Sequence, residues 1–146
     1  MKASENKGRI LAVDWGEKHI GIAVSDETQT LARPINRLDS GSRKENADQI
    51  AAIVEEYKPI EIIVGVTYDT EGALTPSGRR ANRLADTLRL IIPVEVKTID
   101  ESRSTYTAKQ NKIKQGTTKK SRRGHLDAEA AAVFLQQYLE RCRLSG

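Results

Sequence analysis

Cysteine and histidine are scarce in this sequence, and their scarcity argues against several kinds of catalytic site. Cys142 is the single cysteine, so no disulfide can form within the chain, and a lone thiol suits a reducing compartment. No histidine or asparagine clusters with it, which disfavours a cysteine nucleophile. The only histidines are His19 and His125. Their positions support neither a Ser-His-Asp triad nor a cysteine–histidine zinc site.

Long apolar runs, aromatic residues and glycine-rich loops are lacking as well. No run approaches the roughly 20 residues that a membrane-spanning helix needs, and the N-terminal MKASENKGRI has no hydrophobic region of the signal-peptide kind. We therefore expect a cytoplasmic protein with no membrane partner. Aromatic residues make up only 4%, which disfavours single-strand recognition by base stacking. The segment GVTYDTEG has too few glycines for a phosphate-binding P-loop.

The remaining composition is that of a globular protein with a slight excess of positive charge. Hydrophobic residues make up 38% and charged residues 30%. With 24 Lys and Arg against 20 Asp and Glu, the net charge is +4, which permits a polyanionic partner without requiring one. A length of 146 residues suits one domain. Because no linker or repeat interrupts the chain, we predict a single domain over 1–146, with its core from about residue 8 to 140.

The pattern of apolar residues predicts the element order β-β-β-α-β-α-β-α-α. RILAVDWG is apolar on both alternating sets, as in a central strand covered on both faces, and IGIAVS follows as its hairpin partner. Pro34 limits a short third strand, TLARPIN, to a sheet edge. The later strands are IEIIVGV and PVEVKTID, and the helices are SRKENADQIAAIVEEYKP, RRANRLADTLRLI, STYTAKQNKIKQ and LDAEAAAVFLQQYLERC, with TYDTEGALTPSG as a flexible stretch. This order predicts an α/β fold with a five-stranded mixed sheet, in which an antiparallel β1-β2-β3 unit precedes βαβ units, flanked by helices on both faces.

Acidic side chains lie at three predicted element ends. Asp14 ends the first strand in a D-x-G turn, where its simplest role is to shape the turn. Asp100 and Glu101 end the fifth strand, where acids also mark a helix start. Asp127 opens the final helix, where aspartate is a common N-cap. It also precedes the apolar stripe of that helix by about one turn, so we expect it to point at the sheet.

Taken together, the three acids favour a metal site. In an open α/β sheet, ligands gather at strand ends where the topology changes direction. If the first and fifth strands lie parallel in neighbouring positions, Asp14, Glu101 and Asp127 converge. Converging carboxylates repel unless they are protonated or bridged by a cation, and oxygen ligands without Cys or His favour Mg²⁺ or Mn²⁺. Two such ions can stabilise the attacking and leaving oxygens of a phosphodiester hydrolysis.

Basic residues lie where a phosphate backbone would need them. A charge run is most often a solvated face, but the basic stretch GTTKKSRRGH, which we interpret as a mobile loop, leads directly into Asp127. Such a loop beside an acidic pocket suits backbone binding rather than base reading. The candidate nucleic-acid contacts are Arg79, Arg80, Arg83, Lys119, Lys120, Arg122 and Arg123.

Four segments occur in an order that points to a family. They are LAVDWGEKHIGIAVSD, EIIVGV, VEVKTIDESRSTYTA and HLDAEAAAVFLQQYLE. Through them the chain resembles the YqgF family, also called RuvX, of the RNase H-like superfamily, from about residue 8 to 140. The resemblance implies a five-stranded mixed sheet and a divalent metal held by Asp14, Glu101 and Asp127. It also implies a nuclease that matures the 5′ end of pre-16S ribosomal RNA, or, in the family's older description, a Holliday junction resolvase.

The sequence departs from the family pattern at two places. The family usually has Gly-Leu-Pro after the fourth strand, whereas Val66 and Thr67 follow Gly65 here. The family's Asp-Glu-Arg block reads DESR, so Ser102 displaces Arg103 by one position. An arginine in that block could steady a phosphate or the glutamate, and we count Arg103 among the candidate nucleic-acid contacts.

We therefore predict a metal-dependent endonuclease acting on precursor ribosomal RNA, as a monomer or a homodimer. One alternative is a resolvase of four-way DNA junctions, for which a dimer is expected because a junction presents two symmetric cuts. A second alternative is a non-catalytic module that binds RNA through its basic residues. An actin-like ATPase is disfavoured, since that fold binds nucleotide between two such domains and this chain supplies one.

Overall fold

The computed structural model describes residues 8–101 and 119–145, and for residues 119–127 and 145 it describes the backbone alone. Within these ranges the chain forms five strands and three helices. The strands are β1 (Ile10–Asp14), β2 (His19–Ser25), β3 (Ala32–Asp39), β4 (Glu61–Val66) and β5 (Glu95–Asp100), and the helices are α1 (Arg43–Tyr57), α2 (Pro76–Ile91) and α3 (Lys119–Ser145). The predicted helix STYTAKQNKIKQ lies outside the described residues.

The five strands form one mixed sheet in the order β3-β2-β1-β4-β5. β1 pairs antiparallel with β2 and parallel with β4, and β4 pairs parallel with β5. The predicted mixed sheet is therefore confirmed. β3 lies at an edge of the sheet, as predicted from Pro34, because proline has no N–H group to donate to a neighbouring strand. Its register with β2 shifts between Ile22 and Ala23, next to that proline.

The expectation that β1 and β5 are neighbours is wrong. β4 lies between them, and Gly65 of β4 pairs with Asp14 on one side and with Ile99 on the other. The physical reason is the short β4-α2-β5 crossover, because such a connection places the next parallel strand beside the one it leaves. A residue that follows β5 must therefore reach across β4 to approach Asp14.

Each face of the sheet is covered by its own hydrophobic layer. Leu11 and Val13 of β1 pack with residues of α1 and α2. Ile10 and Ala12 point the opposite way and pack with Phe134 of α3. We call these two sides the α1/α2 face and the α3 face. The double layer explains why β1 is apolar on both alternating sets, and it confirms the prediction of helices on both faces.

Helix α2 begins earlier than the sequence pattern predicted. Its first residue is Pro76, and the Thr75 side chain caps it by accepting a hydrogen bond from the Gly78 N–H. The segment before it was predicted to be flexible, but it forms a compact turn in which Asp69 Oδ1 accepts hydrogen bonds from two backbone N–H groups. The start of α2 was predicted too late because a proline suggests a helix breaker unless it is recognised as the first helical residue, directly after an N-cap such as Thr75.

Helix α3 includes residues that the sequence analysis assigned to a mobile basic loop. It extends back to Lys119, so Asp127 lies eight residues inside the helix and does not open it. Lysine and arginine are good helix formers and no proline interrupts the segment, so the buried stripe that begins at Ala130 can propagate helix towards the N-terminus. No helix in the described residues is long and apolar enough to cross a membrane.

A polar contact anchors the later part of α3 to the sheet. The Tyr138 hydroxyl donates to Glu61 Oε1 at 3.1 Å, and Lys97 Nζ lies 2.6 Å from Glu61 Oε2. Burial, followed by the nearby Glu61 charge, raises the pKa of Tyr138 to about 12, which keeps its hydroxyl proton in place. Because Glu61 begins β4, the contact holds Tyr138 at the amino end of the parallel strands. The earlier turns of α3, with Ala130 and Ala131 fully buried, therefore run towards the carboxyl ends.

The fold makes a prediction about the packing of α3. Phe134 is 2% exposed, so Phe134→Ala should lower the free energy of unfolding by about 3–5 kcal/mol through reduced burial and a cavity. Leu144 of the same helix is 89% exposed, and Leu144→Ala should change it by less than about 0.5 kcal/mol. Urea unfolding of both variants measures the difference. Similar values for the two would contradict the packing of α3 on the sheet.

Candidate active site at the carboxyl ends of the parallel strands

Asp14 ends the central strand on the α3 face of the sheet. Strand alternation places it on the same side as Ile10 and Ala12. Its two cross-strand neighbours are both glycines, Gly21 of β2 and Gly65 of β4. Neither neighbour carries a side chain, so the space on both sides of the Asp14 side chain can be filled by residues from other elements.

Glu101 provides such a group. It follows β5 directly, its backbone N–H donates to the Val66 carbonyl at 3.0 Å, and its side chain is only 4% exposed. A Cβ atom added to Gly65 would lie 2.6 Å from each carboxylate oxygen of Glu101. The Glu101 carboxylate therefore lies directly over Gly65, in the space that any other residue would occupy.

The Glu101 carboxylate thus lies on the same face of the sheet as Asp14, above the residue that pairs with Asp14. Gly65 pairs with Asp14, and the Glu101 carboxylate covers Gly65, so Glu101 reaches the neighbourhood of Asp14 although their strands are not adjacent. Asp100, which pairs with Val66, is exposed, and strand alternation points it to the α1/α2 face. Of the two consecutive acids, Glu101 is the one on the side of Asp14.

The backbone of Asp127 lies on the helix that covers the same face. It precedes the buried Ala130 and Ala131 by three and four residues, the spacing of one helical turn. Its side chain is not among those the structure describes. Among the described residues, no group of three or more His, Cys, Asp or Glu side chains is placed to hold a metal ion. The structure thus puts two of the three predicted acids on one face of the sheet and gives the helix position of the third.

The basic residues predicted to contact nucleic acid divide into three groups. Arg79 is exposed and donates to the Leu74 carbonyl. Arg80 and Arg83 line a cavity on the α1/α2 face. The others lie beyond the described side chains: Arg103 is outside the described residues, and Lys119, Lys120, Arg122 and Arg123 are known only as backbone positions of α3.

The cavity that contains Arg80 and Arg83 has a volume of about 320 Å³. The Arg80 guanidinium lies 5.9 Å from the centroid of the Trp15 ring, the side chain that directly follows Asp14. A third arginine, Arg43, is the first residue of α1 and also lines the cavity. The whole lining consists of Trp15, Glu17, Ser40, Gly41, Arg43, Asn46, Arg80, Arg83 and Leu84.

Comparison with known proteins assigns the chain to a family. A family model described as "RuvX: Holliday junction resolvase" matches residues 8–141. The chain belongs to the RuvX family. The family predicted from the four sequence segments is therefore confirmed, and with it the predicted activity class, a nuclease acting on phosphodiester bonds.

Several members of the RuvX family with similar sequences share one name, "Putative pre-16S rRNA nuclease". The Streptomyces avermitilis protein is 36% identical over 141 residues, covering 96% of this chain and 90% of the relative. The Halalkalibacterium halodurans protein is 35% identical over 138 residues, covering 93% and 99%. The similarity therefore spans nearly the full length of both partners.

Solved structures of resolvases share the fold. RuvC of T. thermophilus, in complex with a Holliday junction substrate, superposes with a TM-score of 0.56 at 16% identity, covering 92% of this chain and 95% of RuvC. The fowlpox virus Holliday junction resolvase gives a TM-score of 0.51 at 19% identity, covering 91% and 99%. These similarities confirm the RNase H-like fold predicted for the RuvX family member.

Three residues of this region were not predicted from the sequence. Gly65 interrupts the apolar strand EIIVGV, and a glycine inside a strand often marks a close approach of another group. Nothing in the sequence gives Trp15 a role beyond packing. Arg43 carried no signal, because its proximity to Arg80 arises only when α1 and α2 pack side by side.

The position of Glu101 over Gly65 predicts an unusual glycine effect. Alanine normally stabilises a strand interior relative to glycine by about 0.5–1 kcal/mol. Gly65→Ala should instead lower the free energy of unfolding by about 1–3 kcal/mol, since the new methyl group displaces a buried side chain. In a Glu101→Ala background the same change should be neutral or stabilising. Chemical unfolding of the four proteins gives this coupling energy directly.

Gly72→Ala is the control for this cycle. Gly72 has φ +87° and no atom within 4 Å of an added Cβ, so its substitution strains the backbone without touching Glu101. The decrease in the free energy of unfolding caused by Gly72→Ala should be the same whether or not the Glu101 side chain is present. A Gly65→Ala cost that is equally insensitive to Glu101 would contradict the contact.

Proposed function

We propose that this chain is a metal-dependent endonuclease that hydrolyses phosphodiester bonds during 5′-end maturation of pre-16S ribosomal RNA. The observation that carries the proposal is the buried carboxylate of Glu101, held over Gly65 on the side of Asp14. The names of the similar family members support the choice of ribosomal RNA. Such a substrate would place the protein in the cytoplasm.

The residues present fit a hard divalent cation. Asp14 and Glu101 bring carboxylate oxygens to the same face of the sheet at the carboxyl ends of its parallel strands, and the Glu101 side chain is buried there. Oxygen donors of this kind suit Mg²⁺ or Mn²⁺. We propose Asp14, Glu101 and Asp127 as the residues that would hold it. When bound, such an ion lowers the pKa of water and offsets the charge that develops on phosphate oxygens.

The chain itself supplies orientation and charge. Glu101 is tied by its backbone N–H to the Val66 carbonyl and confined by burial, so its carboxylate is already in place before substrate binds. Asp14 is fixed at the end of β1, the central strand, whose other four residues are all buried. The exposed arginines Arg79, Arg80 and Arg83 add positive charge that attracts a phosphate backbone towards these acids.

A second candidate function keeps the fold and changes the substrate to a four-way DNA junction. The name of the family model and the RuvC superposition favour it. A junction requires two symmetric cuts and hence a homodimer, whereas cleavage at one end of an RNA precursor is possible for a monomer. The oligomeric state on substrate therefore discriminates the two.

Asp14→Asn and Glu101→Gln should each abolish cleavage while preserving the fold. The expected loss is at least about a hundredfold, because the electrostatic stabilisation supplied by a bound metal is worth several kcal/mol and each 1.36 kcal/mol is tenfold in rate. The matched control is Asp100→Asn, an adjacent acid on the other face, which should cleave at the wild-type rate. Cleavage is measured in Mg²⁺ and Mn²⁺ on a 5′-extended 16S precursor, single-stranded RNA and a four-way DNA junction.

The substrate panel separates the candidates. Cleavage of the RNA precursor by wild type but not by Asp14→Asn supports the proposed function. Cleavage of the junction alone supports the resolvase. Unchanged activity of Asp14→Asn, with its fold verified by circular dichroism, would contradict the assignment of the acids. RNA binding without any cleavage would favour the non-catalytic module.

A further inference from the structure

The cavity lined by Trp15, Arg43, Arg80 and Arg83 lies on the face of the sheet opposite the acids. Trp15 is the residue after Asp14, and strand alternation turns its side chain to the α1/α2 face, where it packs on the core of that side. We propose that this cavity binds one nucleotide of the RNA strand, next to the nucleotide that is cleaved. This inference rests on the proposed nuclease function.

The charge of the cavity fits a phosphate group. Three arginines line it, and no ion pair joins any of them to a carboxylate within the described residues. Lys44 of α1 and Arg89 of α2, in contrast, are paired with acids of their own helices. Glu17 is the single acid in the lining and reduces the excess to two positive charges. Guanidinium groups suit phosphate oxygens in particular, because they can donate two parallel hydrogen bonds.

The size and the apolar part of the cavity fit the rest of a nucleotide. A volume of about 320 Å³ lies at the lower end of the range for small-molecule sites, which suits one nucleotide rather than several. Trp15 is half-buried, so the exposed part of its ring presents an apolar wall next to the Arg80 guanidinium. A sugar or base can pack on this wall while its phosphate contacts the arginines.

The cavity is built from rigid parts. Asn46 is 3% exposed, accepts a hydrogen bond from the Gly41 N–H at 2.8 Å and donates to the Gly41 carbonyl at 3.3 Å. This double contact fixes the segment that leads into α1, and the Ser42–Glu45 capping box fixes the first turn that carries Arg43. The backbone that carries Arg43 is therefore fixed without a ligand, which lowers the part of the entropy cost of binding that comes from ordering this segment.

A strand of RNA, rather than a free nucleotide, is the ligand that this location favours. Consecutive Cα atoms are about 3.8 Å apart, so the backbone of Asp14 and Trp15 links the acids on one face to the cavity on the other. A strand that crosses the end of β1 can place its scissile phosphate on the acid side and a neighbouring nucleotide in the cavity. Binding of this nucleotide in the cavity would then determine which phosphodiester bond of the strand is cleaved.

The test uses Trp15 as its own reporter, since it is the only tryptophan of the chain. The full-length protein is titrated with a uridine octanucleotide in EDTA, which prevents metal-dependent cleavage, and tryptophan fluorescence is recorded. We expect binding to change the fluorescence and an Arg80→Ala/Arg83→Ala variant to bind at least about tenfold more weakly, because it cannot form the charge-assisted hydrogen bonds to phosphate. The salt dependence of its affinity should also be shallower, by about 0.7 in the log–log slope for each phosphate that the variant no longer neutralises.

The matched control is Arg33→Ala/Arg37→Ala, which removes the same charge from the exposed edge strand β3. This variant should retain the fluorescence change and bind less than about threefold more weakly than wild type. Equal weakening by both double variants would overturn the cavity, because it would show only a general charge effect. Uridine monophosphate binding as tightly as the octanucleotide would overturn the assignment to an RNA strand.

The fluorescence test of the cavity and the cleavage test of the nuclease can fail independently. Cleavage that depends on Asp14, together with a Trp15 signal that does not respond to the octanucleotide, would overturn the cavity and leave the nuclease intact. A Trp15 response that depends on Arg80 and Arg83, without cleavage of any substrate, would support the cavity as an RNA site and contradict the nuclease.

Discussion

The contact between the Glu101 carboxylate and Gly65 is the constraint on which the candidate site depends. β4 separates the strands that carry the two acids, so they can approach each other only if the intervening residue leaves room. Glycine leaves that room, and the backbone hydrogen bond from Glu101 to Val66 holds the side chain above it. The candidate site thus depends on the absence of a side chain at Gly65 as much as on the two carboxylates themselves.

The departure from the family pattern after Gly65 has a simple structural consequence. Val66 is buried in the α1/α2 layer, and the Thr67 carbonyl accepts a hydrogen bond from the Thr75 N–H at the start of α2. Gly78 approaches the same Thr67 backbone so closely that a Cβ there would meet it. The Thr67 hydroxyl also forms a hydrogen bond with the hydroxyl of Thr75, the N-cap of α2, so threonine at position 67 fits the entry of this helix and Gly65 is unaffected.

The periodicity of the apolar residues was enough to predict the mixed sheet, and Pro34 was enough to predict the edge position of β3, because each depends on local pattern. The spatial relation of β1 to β5 was not predictable in this way, since it depends on where the β4-α2-β5 crossover places a strand. The extent of α3 was missed because a basic sequence reads equally well as a loop or as a solvated helix. Gly65 was visible as an interruption of an apolar strand, but only the structure identifies the side chain that fills its space.

The division of charge between the two faces of the sheet addresses a general difficulty of acidic nuclease sites. Carboxylates that would bind a metal also repel the phosphates of a substrate, and a bound cation offsets this repulsion only close to itself. The arginines of the cavity lie on the α1/α2 face, whereas Asp14 and Glu101 lie on the α3 face. An RNA strand that contacts these arginines is attracted to the carboxyl ends of the parallel strands. Its phosphates therefore approach the acids at a lower electrostatic cost. Separating the two charges across one strand end therefore allows each to act on a different part of the same polyanion.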